Sequence, residues 1–137
     1  MEKTIRIGIN GFGRIGRGIV RELIANRESH NIELVAINDV GSLDVLAHLF
    51  EYDSVHGKWH GEVSFESNAL ILDGLRIYFS AESDVTKIGW GELGVDLVVE
   101  STGKFKSRKS AKGHILAGAS KVIVSAVADD EDIPTIV

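Results

Sequence analysis

The chain has 137 residues, of which 44% are hydrophobic and 26% are charged, and its formal net charge at pH 7 is −5. These values are ordinary for one globular domain, and the negative charge argues against a nucleic-acid surface because no basic patch stands out. The lack of cysteine excludes disulfides and thiolate chemistry within these residues. No apolar run resembles a signal peptide or approaches the ~18 residues of a membrane span, so we expect a cytoplasmic protein without a membrane partner.

The first predicted elements are a strand, a glycine-rich turn and a helix. Apolar side chains alternate along Ile5–Asn10, which predicts a strand with one buried face. The segment Gly11–Gly16 follows directly and has the pattern G-x-G-x-x-G. In the helix after it, helical spacing predicts one buried face made of Ile15, Ile19, Leu23 and Ile24.

A second strand and a shorter helix come next. The apolar run Ile32–Ile37 predicts a strand that ends at Asn38–Asp39. Ser42 is a suitable N-cap, and the helix that it begins is expected to bury Leu43, Leu46, Leu49 and Phe50. Residues 51–60 are predicted to form a loop.

The pattern then changes to the two-residue period of antiparallel strands. Residues 62–66 predict a half-buried strand. The runs Leu70–Leu72 and Leu75–Phe79 flank Asp73–Gly74, which is a strong hairpin signal. An antiparallel hairpin is therefore inserted into the alternation of strands and helices.

Alternation of strands and helices resumes after the hairpin. The remaining predicted elements are a helical turn over 84–88, a strand over 95–100, a helix over 107–117 ending at Gly118, a strand over 121–126, an acidic loop over 129–132 and the start of a strand over 135–137. We predict an α/β fold with a Rossmann-type, doubly wound, mostly parallel sheet and an antiparallel hairpin insertion. No change in composition marks a boundary, so residues 1–137 are predicted to form one domain.

The turn Gly11–Gly16 lies between a strand and a helix, as a dinucleotide-binding turn must. Gly11 permits the tight turn, Gly13 lets the backbone approach a pyrophosphate, and Gly16 lets the helix pack close to the strand. The N–H groups at the helix N-terminus then face the phosphates. The alternative is a glycine turn with a purely structural role, because the sequence contains 15 glycines.

Asp39 supplies the second half of this pattern. It lies 23 positions after Gly16, close to the ~20 expected for the acid that binds the adenosine ribose. A 2′-phosphate there would meet a like charge, at a cost of about 4 kcal/mol for unit charges ~4 Å apart at an effective dielectric constant of ~20. No lysine or arginine between Asn38 and Phe50 offsets that cost, so NAD is predicted over NADP.

Small polar residues gather where the predicted parallel strands end. The four strand ends are Asn10–Gly11, Asn38–Asp39, Ser101–Gly103 and Ser125–Ala126. Ligands of doubly wound sheets bind beyond these ends, so we predict a cofactor trough there. Ordinary turn chemistry remains an alternative for the last two ends.

Five segments together resemble the glyceraldehyde-3-phosphate dehydrogenase family. They are Ile9–Arg17, Ala36–Asp39, Tyr52–Gly57, Trp90–Asp96 and Glu100–Phe105, in order and with similar spacing. The resemblance implies the NAD-binding domain of a tetrameric, NAD-dependent, phosphorylating aldehyde dehydrogenase of glycolysis. Its substrate would be a small phosphorylated aldehyde, handled by a separate catalytic domain.

The resemblance also implies further cofactor contacts. Backbone N–H groups of Arg14 and Ile15 would meet the pyrophosphate. The segment Glu82–Ser83 would pass near the adenine, and the family often has a long basic residue in place of Ser83. Ser125 would approach the nicotinamide. The complete predicted cofactor set is Asn10, Gly11, Phe12, Gly13, Arg14, Ile15, Gly16, Asn38, Asp39, Ser83, Ser101, Thr102, Gly103, Phe105 and Ser125.

Two features depart from the family pattern. The family's nucleophilic cysteine, in a Ser-Cys-Thr-Thr-Asn-type motif, and its histidine partner have no counterpart in these 137 residues. Because the covalent step needs a thiolate, we predict no catalytic residue here, expect this chain alone to be inactive, and interpret it as the cofactor domain of a longer protein. Val127 stands where the family usually has proline, which leaves Ser125 less constrained.

The histidines do not suggest a metal site. His56 and His60 are four positions apart but are followed by glycines that oppose a shared helix face, and His56 is expected to have a structural packing role. Trp90 is expected in the core. Surface or core positions are predicted for His30, His48 and His114.

Three hypotheses for function remain open from the sequence. The first is the NAD-binding domain of a glyceraldehyde-3-phosphate dehydrogenase, which forms a homotetramer. The second is the same domain of a sister enzyme such as an erythrose-4-phosphate dehydrogenase. The third is a non-catalytic NAD-binding module.

Overall fold

A computed structural model describes residues 3–125, in which strands and helices alternate. In chain order the elements are β1 (Ile5–Asn10), α1 (Arg14–Ala25), β2 (Ile32–Asn38), α2 (Leu43–Glu51), β3 (Tyr52–Asp53), β4 (Gly57–Lys58), β5 (Val63–Glu66), β6 (Ala69–Leu72), β7 (Leu75–Ser80), a 3₁₀ turn (Val85–Lys87), β8 (Leu97–Glu100), α3 (Arg108–Leu116) and β9 (Lys121–Val124).

Within residues 3–125, seven of the strands form one sheet in the order β5-β6-β7-β2-β1-β8-β9. The pairs β7–β2, β2–β1, β1–β8 and β8–β9 are parallel, whereas β5–β6 and β6–β7 are antiparallel. The chain starts in the middle at β1 and adds β2 beside it, then passes to the edge strand β5 and comes back through β6 to β7, which pairs with β2. It then crosses over to add β8 and β9 on the other side of β1. This is the strand order of a doubly wound sheet, and it confirms the predicted fold class with a switch point between β1 and β8.

The register places four polar residues side by side where the parallel strands end. Asn10 of β1 pairs with Asn38 of β2 and with Glu100 of β8, and Asn38 in turn pairs with Ser80 of β7. Because the strands are parallel, all four residues lie at the same edge of the sheet.

The predicted hairpin joins the main sheet as its antiparallel end. At the β6–β7 turn, Asp73 and Gly74 have φ angles of 51° and 82°, the combination that a two-residue type I′ turn needs. The Asp73 carboxylate accepts hydrogen bonds from the Glu62 N–H at 2.9 Å and the Trp59 indole N–H at 3.3 Å. These contacts hold the loop before β5 against the turn.

Apolar layers cover both faces of the sheet. Ile9 and Ile37 point to one face, where Val20 of α1 packs in the same cluster. Successive residues of a strand point to opposite faces, so Val98 reaches the other face, where it packs with the fully buried Trp90. Trp90 is therefore a core residue, as predicted.

The buried faces of α1 and α2 differ from the predicted ones. Ile15 is 52% exposed and Leu49 is 40% exposed, so the prediction that both are buried is wrong. The buried positions of α1 include Gly16 and Ile24. A Cβ on Gly16 would lie 2.1 Å from the Gly11 carbonyl oxygen, and this contact turns the helix so that its glycine side, rather than Ile15, meets the sheet.

The segment predicted as a loop over 51–60 is more ordered than expected. It contains the last residue of α2 and the small antiparallel pair β3–β4. The turn between these strands is closed by the buried Asp53, whose Oδ1 accepts from the N–H groups of Val55 at 2.7 Å and His56 at 2.8 Å. The His56 ring lies beside this carboxylate with its side chain 45% exposed, so it does not pack in the core.

The predicted start of α3 is confirmed, whereas the predictions for the last residues of the chain lie outside the described part of the structure. Ser107 caps α3, and its hydroxyl accepts from the Ser110 N–H, as expected for a helix that begins there. The predicted acidic loop over 129–132 and strand over 135–137, together with Ala126 of the predicted strand end and Val127, lie outside the described residues. Among residues 3–125, no helix has the length and apolar character needed to cross a membrane.

Gly8 of β1 is expected to be intolerant of any side chain. A Cβ there would lie 2.5 Å from a ring carbon of Trp90, so the Gly8→Ala variant must displace a large buried ring. We expect the free energy of unfolding to fall by about 1–3 kcal/mol, measured by urea denaturation. Gly18→Ala, within α1, is the matched control, because the nearest described atom to the new Cβ, apart from its chain neighbours and the helix backbone, is His56 Cε1 at 3.8 Å. It should stabilise the helix by about 0.5–1 kcal/mol. Equal effects at the two positions would contradict this account.

Asp53 is expected to make stability depend on acid pH. Hydrogen bonds from the His56 and Val55 N–H groups lower the pKa of its carboxyl from 3.8 to about 2. Because the folded-state pKa is below the unfolded one, this stabilisation is present above pH 4 and is lost as the pH falls towards 2. The difference in unfolding free energy between the unaltered protein and Asp53→Asn should therefore shrink over that interval. A difference that stays constant from pH 5 to pH 2 would refute the assignment.

Candidate functional site

A cleft of about 350 Å³ lies at the carboxyl ends of the central parallel strands, next to the switch point. Its walls come from the turn after β1, the turn after β2, the segment after β7 and the loop after β8. The predicted residues that line it are Asn10, Gly11, Gly13, Asn38, Asp39, Ser83, Ser101, Thr102 and Phe105. Glu82, from the segment expected near the adenine, also lines it, as do three residues that sequence reasoning did not select, namely Val40, Val85 and Lys104.

The glycine-rich turn has the shape that its sequence implies. Gly11 has a φ of +101°, and a Cβ there would lie 2.7 Å from the Thr102 nitrogen, so only glycine fits between the two loops. At Gly13, no heavy atom of the described residues lies within 4 Å of the position that a Cβ would occupy. Gly13 therefore leaves open space in front of the first turn of α1.

The N-terminus of α1 faces this space with free hydrogen-bonding capacity. Gly13 is the N-cap, and no side chain of the described residues caps the helix there. The first N–H groups of an α-helix have no partner within the helix, and the helix dipole favours an anion beside them. Arg14 and Ile15, both exposed, begin this first turn. Their backbone N–H groups are thus where a phosphate can be bound.

Asp39 connects the turns after β1 and β2. Its Oδ2 accepts from the Phe12 N–H and its Oδ1 accepts from the Gly41 N–H, each at 2.7 Å. Each carboxylate oxygen has a further lone pair, so both can also accept from the hydroxyl groups of a ribose. The Phe12 side chain is fully buried and stacks on Phe50 with ring centroids 5.9 Å apart. Phe12 therefore serves the site only through its backbone.

Asn10 and Asn38 form the floor of the cleft and bind each other. The Asn38 amide nitrogen donates to Asn10 Oδ1 at 2.9 Å and to the Glu82 carbonyl at 2.9 Å. The Asn38 amide oxygen accepts from the Ser80 hydroxyl at 2.6 Å and from the Glu82 N–H at 2.9 Å. All four hydrogen-bonding positions of Asn38 are thus used, which makes it a structural part of the site.

Glu100 is a buried residue next to the cleft that sequence reasoning did not single out. Its carboxylate is 1% exposed and accepts from Asn10 Nδ2 at 2.7 Å, His114 Nε2 at 2.8 Å, and the Thr102 N–H and hydroxyl at 2.9 and 2.6 Å. Burial raises its pKa, but hydrogen bonds from His114, Thr102 and Asn10 outweigh burial and hold the pKa below its ordinary value. The sequence did contain a signal for this residue, namely a glutamate at the end of an apolar strand. A carboxylate buried there requires hydrogen-bond donors around it.

The loop after β8 is tied to the glycine-rich turn. The Ser101 hydroxyl donates to the Gly11 carbonyl at 2.7 Å, and the Thr102 hydroxyl accepts from the Lys104 N–H at 3.1 Å. Six of the predicted residues are not among those that line the cleft, namely Phe12, Arg14, Ile15, Gly16, Gly103 and Ser125. Gly103 is exposed in the same loop, and the Ser125 hydroxyl donates to the Glu100 carbonyl at 3.1 Å at the end of β9.

These parts fit a dinucleotide. The uncapped N-terminus of α1 suits a diphosphate, the Asp39 carboxylate suits ribose hydroxyls, and the partly apolar wall with Val40 and Phe105 suits a planar base.

Within residues 3–125, no group of three or more histidine, cysteine, aspartate or glutamate side chains can hold a metal ion.

Comparison with known proteins identifies the same kind of domain. A family model described as glyceraldehyde 3-phosphate dehydrogenase, NAD binding domain, matches residues 5–108. The chain is 51% identical over 130 residues to the glyceraldehyde-3-phosphate dehydrogenase of Geobacillus stearothermophilus and 52% identical over 130 residues to glyceraldehyde-3-phosphate dehydrogenase 1 of Bacillus subtilis. Each match covers 95% of this chain and 38% of the relative, so the chain spans well under half of their length.

A Cβ at position 13 is expected to weaken NAD binding while it leaves the stability of the fold nearly unchanged. In Gly13→Ala the added methyl group enters the open space where a diphosphate would lie, so NAD affinity should fall at least about tenfold, or about 1.4 kcal/mol. The free energy of unfolding should change by less than about 1 kcal/mol, because the methyl group meets no described residue. Calorimetric titration and urea denaturation measure the two effects. Unchanged NAD affinity in Gly13→Ala would argue against the placement of the diphosphate.

Proposed function

The chain belongs to the family of glyceraldehyde-3-phosphate dehydrogenase NAD-binding domains, and on that premise we propose that it holds NAD for a phosphorylating aldehyde dehydrogenase of glycolysis. NAD, when bound, supplies the acceptor for the hydride that leaves the aldehyde carbon. The observation that carries the proposal is the cleft at the switch point, where the uncapped α1 N-terminus and the Asp39 carboxylate lie beside each other.

Each part of the cleft has one task in this proposal. The first N–H groups of α1 bind the diphosphate, and Gly13 provides the space for it. Asp39 accepts from the adenosine ribose while its hydrogen bonds to the Phe12 and Gly41 N–H groups keep it in place. Ser83 and Phe105 line the cleft where the adenine is proposed to bind.

The aldehyde chemistry is assigned to residues outside this chain. No cysteine is present among the 137 residues, so these residues offer no thiol nucleophile. The relatives are longer, since the match covers 38% of their length, and we assign the small phosphorylated aldehyde to the part of the protein corresponding to the rest. The chain by itself is expected to bind NAD and to be inactive.

Assembly and location follow from the family resemblance as further parts of the proposal. We propose a homotetramer in the cytoplasm. Apolar side chains exposed along α2 support an interface, since Val45 and Leu49 are 52% and 40% exposed and Tyr52, just after the helix, is 50% exposed. These positions are spaced to lie on one side of the helix.

The names of the relatives favour this function over the two alternatives. The relatives from Geobacillus stearothermophilus and Bacillus subtilis are both glyceraldehyde-3-phosphate dehydrogenases, whereas an erythrose-4-phosphate dehydrogenase and a non-catalytic module rest only on the sequence pattern. The test is NADH formation by the complete protein from glyceraldehyde 3-phosphate, NAD and inorganic phosphate, with erythrose 4-phosphate as the matched control substrate. Faster reaction with the control substrate would favour the sister enzyme, and no reaction with either would favour the module.

Asp39 is expected to select NAD over NADP. Its negative charge opposes a 2′-phosphate, and Lys104 is the cation that lines the cleft within the described residues. The unaltered chain should bind NAD at least about tenfold more tightly than NADP, a difference of about 1.4 kcal/mol. Asp39→Ala should lose this preference and bind NAD more weakly, because the Phe12 and Gly41 N–H groups lose their acceptor.

Calorimetric titration with each cofactor measures the preference. Asp39→Asn is the matched variant, since its amide oxygen can still accept from one of the two N–H groups while the charge is removed. It should retain more NAD affinity than Asp39→Ala and bind NADP comparatively better. A preference for NAD that survives in both variants would assign the selectivity to other residues.

A further inference from the structure

The Glu100 carboxylate is the point at which two buried hydrogen-bond chains meet. It is 1% exposed and, within the described residues, accepts four hydrogen bonds. Oε1 accepts from Asn10 and His114, and Oε2 accepts from both the N–H and the hydroxyl of Thr102. An ionised carboxylate only accepts, so every group around it must present a donor.

This requirement sets the orientation of two amides. Asn10 must direct its NH₂ group to Glu100, so its amide oxygen faces Asn38. Asn38 must then present its own NH₂ group to Asn10, which leaves its oxygen for the Ser80 hydroxyl and the Glu82 N–H. The direction of hydrogen bonding thus runs unbroken from β7 across β2 and β1 to β8.

A second series of hydrogen bonds, from Trp90 through His114 to Glu100, sets the tautomer of His114. The indole N–H of Trp90 can only donate, and it lies 2.9 Å from His114 Nδ1, which must therefore be an unprotonated acceptor. The proton of the neutral ring is then on Nε2, where it is donated to Glu100 at 2.8 Å. Both His114 and Trp90 are fully buried, so water does not compete for these groups.

Two of the residues held by Glu100 line the cleft. Asn10 lies at its floor, and Thr102 lies in the wall formed by the loop after β8. Thr102 donates both its N–H and its hydroxyl to the same oxygen, Oε2 of Glu100, which fixes both its backbone and its side chain. The Glu100 carboxylate itself does not line the cleft.

We propose that Glu100 is a positioning residue for NAD binding: its carboxylate, held by the neutral His114 ring, sets Thr102 and Asn10 in the geometry in which the cleft accepts the cofactor. This inference rests on the proposed function only in taking the cleft as the NAD site. Glu100 acts through its neighbours and need not touch the cofactor.

Replacement of Glu100 by glutamine removes the acceptor that this arrangement requires. The NH₂ group of the new side chain must face either the Asn10 and His114 donors or the Thr102 N–H, so a donor meets a donor in both orientations. His114 cannot become an acceptor at Nε2 without presenting an N–H to the Trp90 indole. We expect the Thr102 contact to be released, because its hydroxyl can rotate whereas the buried ring is fixed.

The experiment is calorimetric titration of the full 137-residue chain and its Glu100→Gln variant with NAD, with unfolding measured in parallel. We expect the variant to bind NAD at least about tenfold more weakly, in line with loss of charge-assisted hydrogen bonds. Asp73→Ala is the control, because it breaks hydrogen bonds at the hairpin turn away from the cleft and should lower stability with NAD affinity unchanged. Affinity within about threefold of the unaltered chain in Glu100→Gln would overturn the proposal.

A pair of variants at His114 tests the same role if Glu100→Gln does not fold. In His114→Gln the amide can donate to Glu100 and accept from Trp90, as the neutral ring does, whereas His114→Leu has similar size and no polar group. The glutamine variant should keep NAD affinity near that of the unaltered chain, and the leucine variant should weaken it at least about tenfold. Equal affinities in the two variants would overturn the positioning role.

A measurement on the unaltered chain needs no substitution. The ¹⁵N chemical shifts of the His114 ring should report the neutral tautomer with its proton on Nε2, both with and without NAD. A proton on Nδ1, or a doubly protonated ring, would contradict the proposed arrangement. Failure of the unaltered chain to bind NAD at all would instead count against the proposed function.

Discussion

One buried carboxylate orders the polar side chains at the edge of the sheet where the parallel strands end. Glu100 accepts without donating, so Asn10, Asn38 and the ring of His114 can each adopt only one orientation. A buried polar group left without a partner costs about 1–3 kcal/mol, so a reversal of any one of these groups would leave its neighbours unsatisfied at that cost. The floor of the cleft is therefore built from side chains that satisfy one another's hydrogen-bonding groups.

Packing on the two faces of the sheet supports that edge. Trp90 fills the second apolar layer, lies against the bare backbone of Gly8 and donates its indole N–H to His114. On the other face, Phe12 stacks on Phe50 and so anchors the turn that contains the N-terminus of α1. The same aromatic side chains that stabilise the core thus hold the loops of the site in place.

The cleft combines anionic and cationic features in a way that suits a dinucleotide. The N-terminus of α1 offers backbone N–H groups and the helix dipole to a phosphate, and among the described residues no arginine lines the cleft. The carboxylate of Asp39 lies beside this region but is engaged by the Phe12 and Gly41 N–H groups. It therefore retains acceptor capacity for hydroxyl groups while it repels a further phosphate.

Local patterns in the sequence were enough for much of the fold. The strand, glycine turn and helix at Ile5–Ala25 and the hairpin at Asp73–Gly74 are local features, because steric limits on φ and the period of apolar residues act over a few positions. The spacing of Asp39 from Gly16 identified the candidate ribose acceptor, because it matches the distance along the chain in the dinucleotide-binding pattern. The family resemblance added a prediction of function, which the spacing of apolar residues alone does not provide.

What only the tertiary structure decided involves residues far apart in the chain. The exposure of Ile15 follows from the close approach of Gly16 to the Gly11 carbonyl, which rotates α1 on the sheet. The meeting of Asn10 with Glu100, 90 positions apart, depends on the β1–β8 register. By itself the sequence determined most of the strands, helices and glycine turns, since those depend on neighbours along the chain, but it did not indicate the short pair β3–β4. The tertiary structure decided which polar groups pair in the core, because hydrogen-bond partners are set by how strands and helices pack in space.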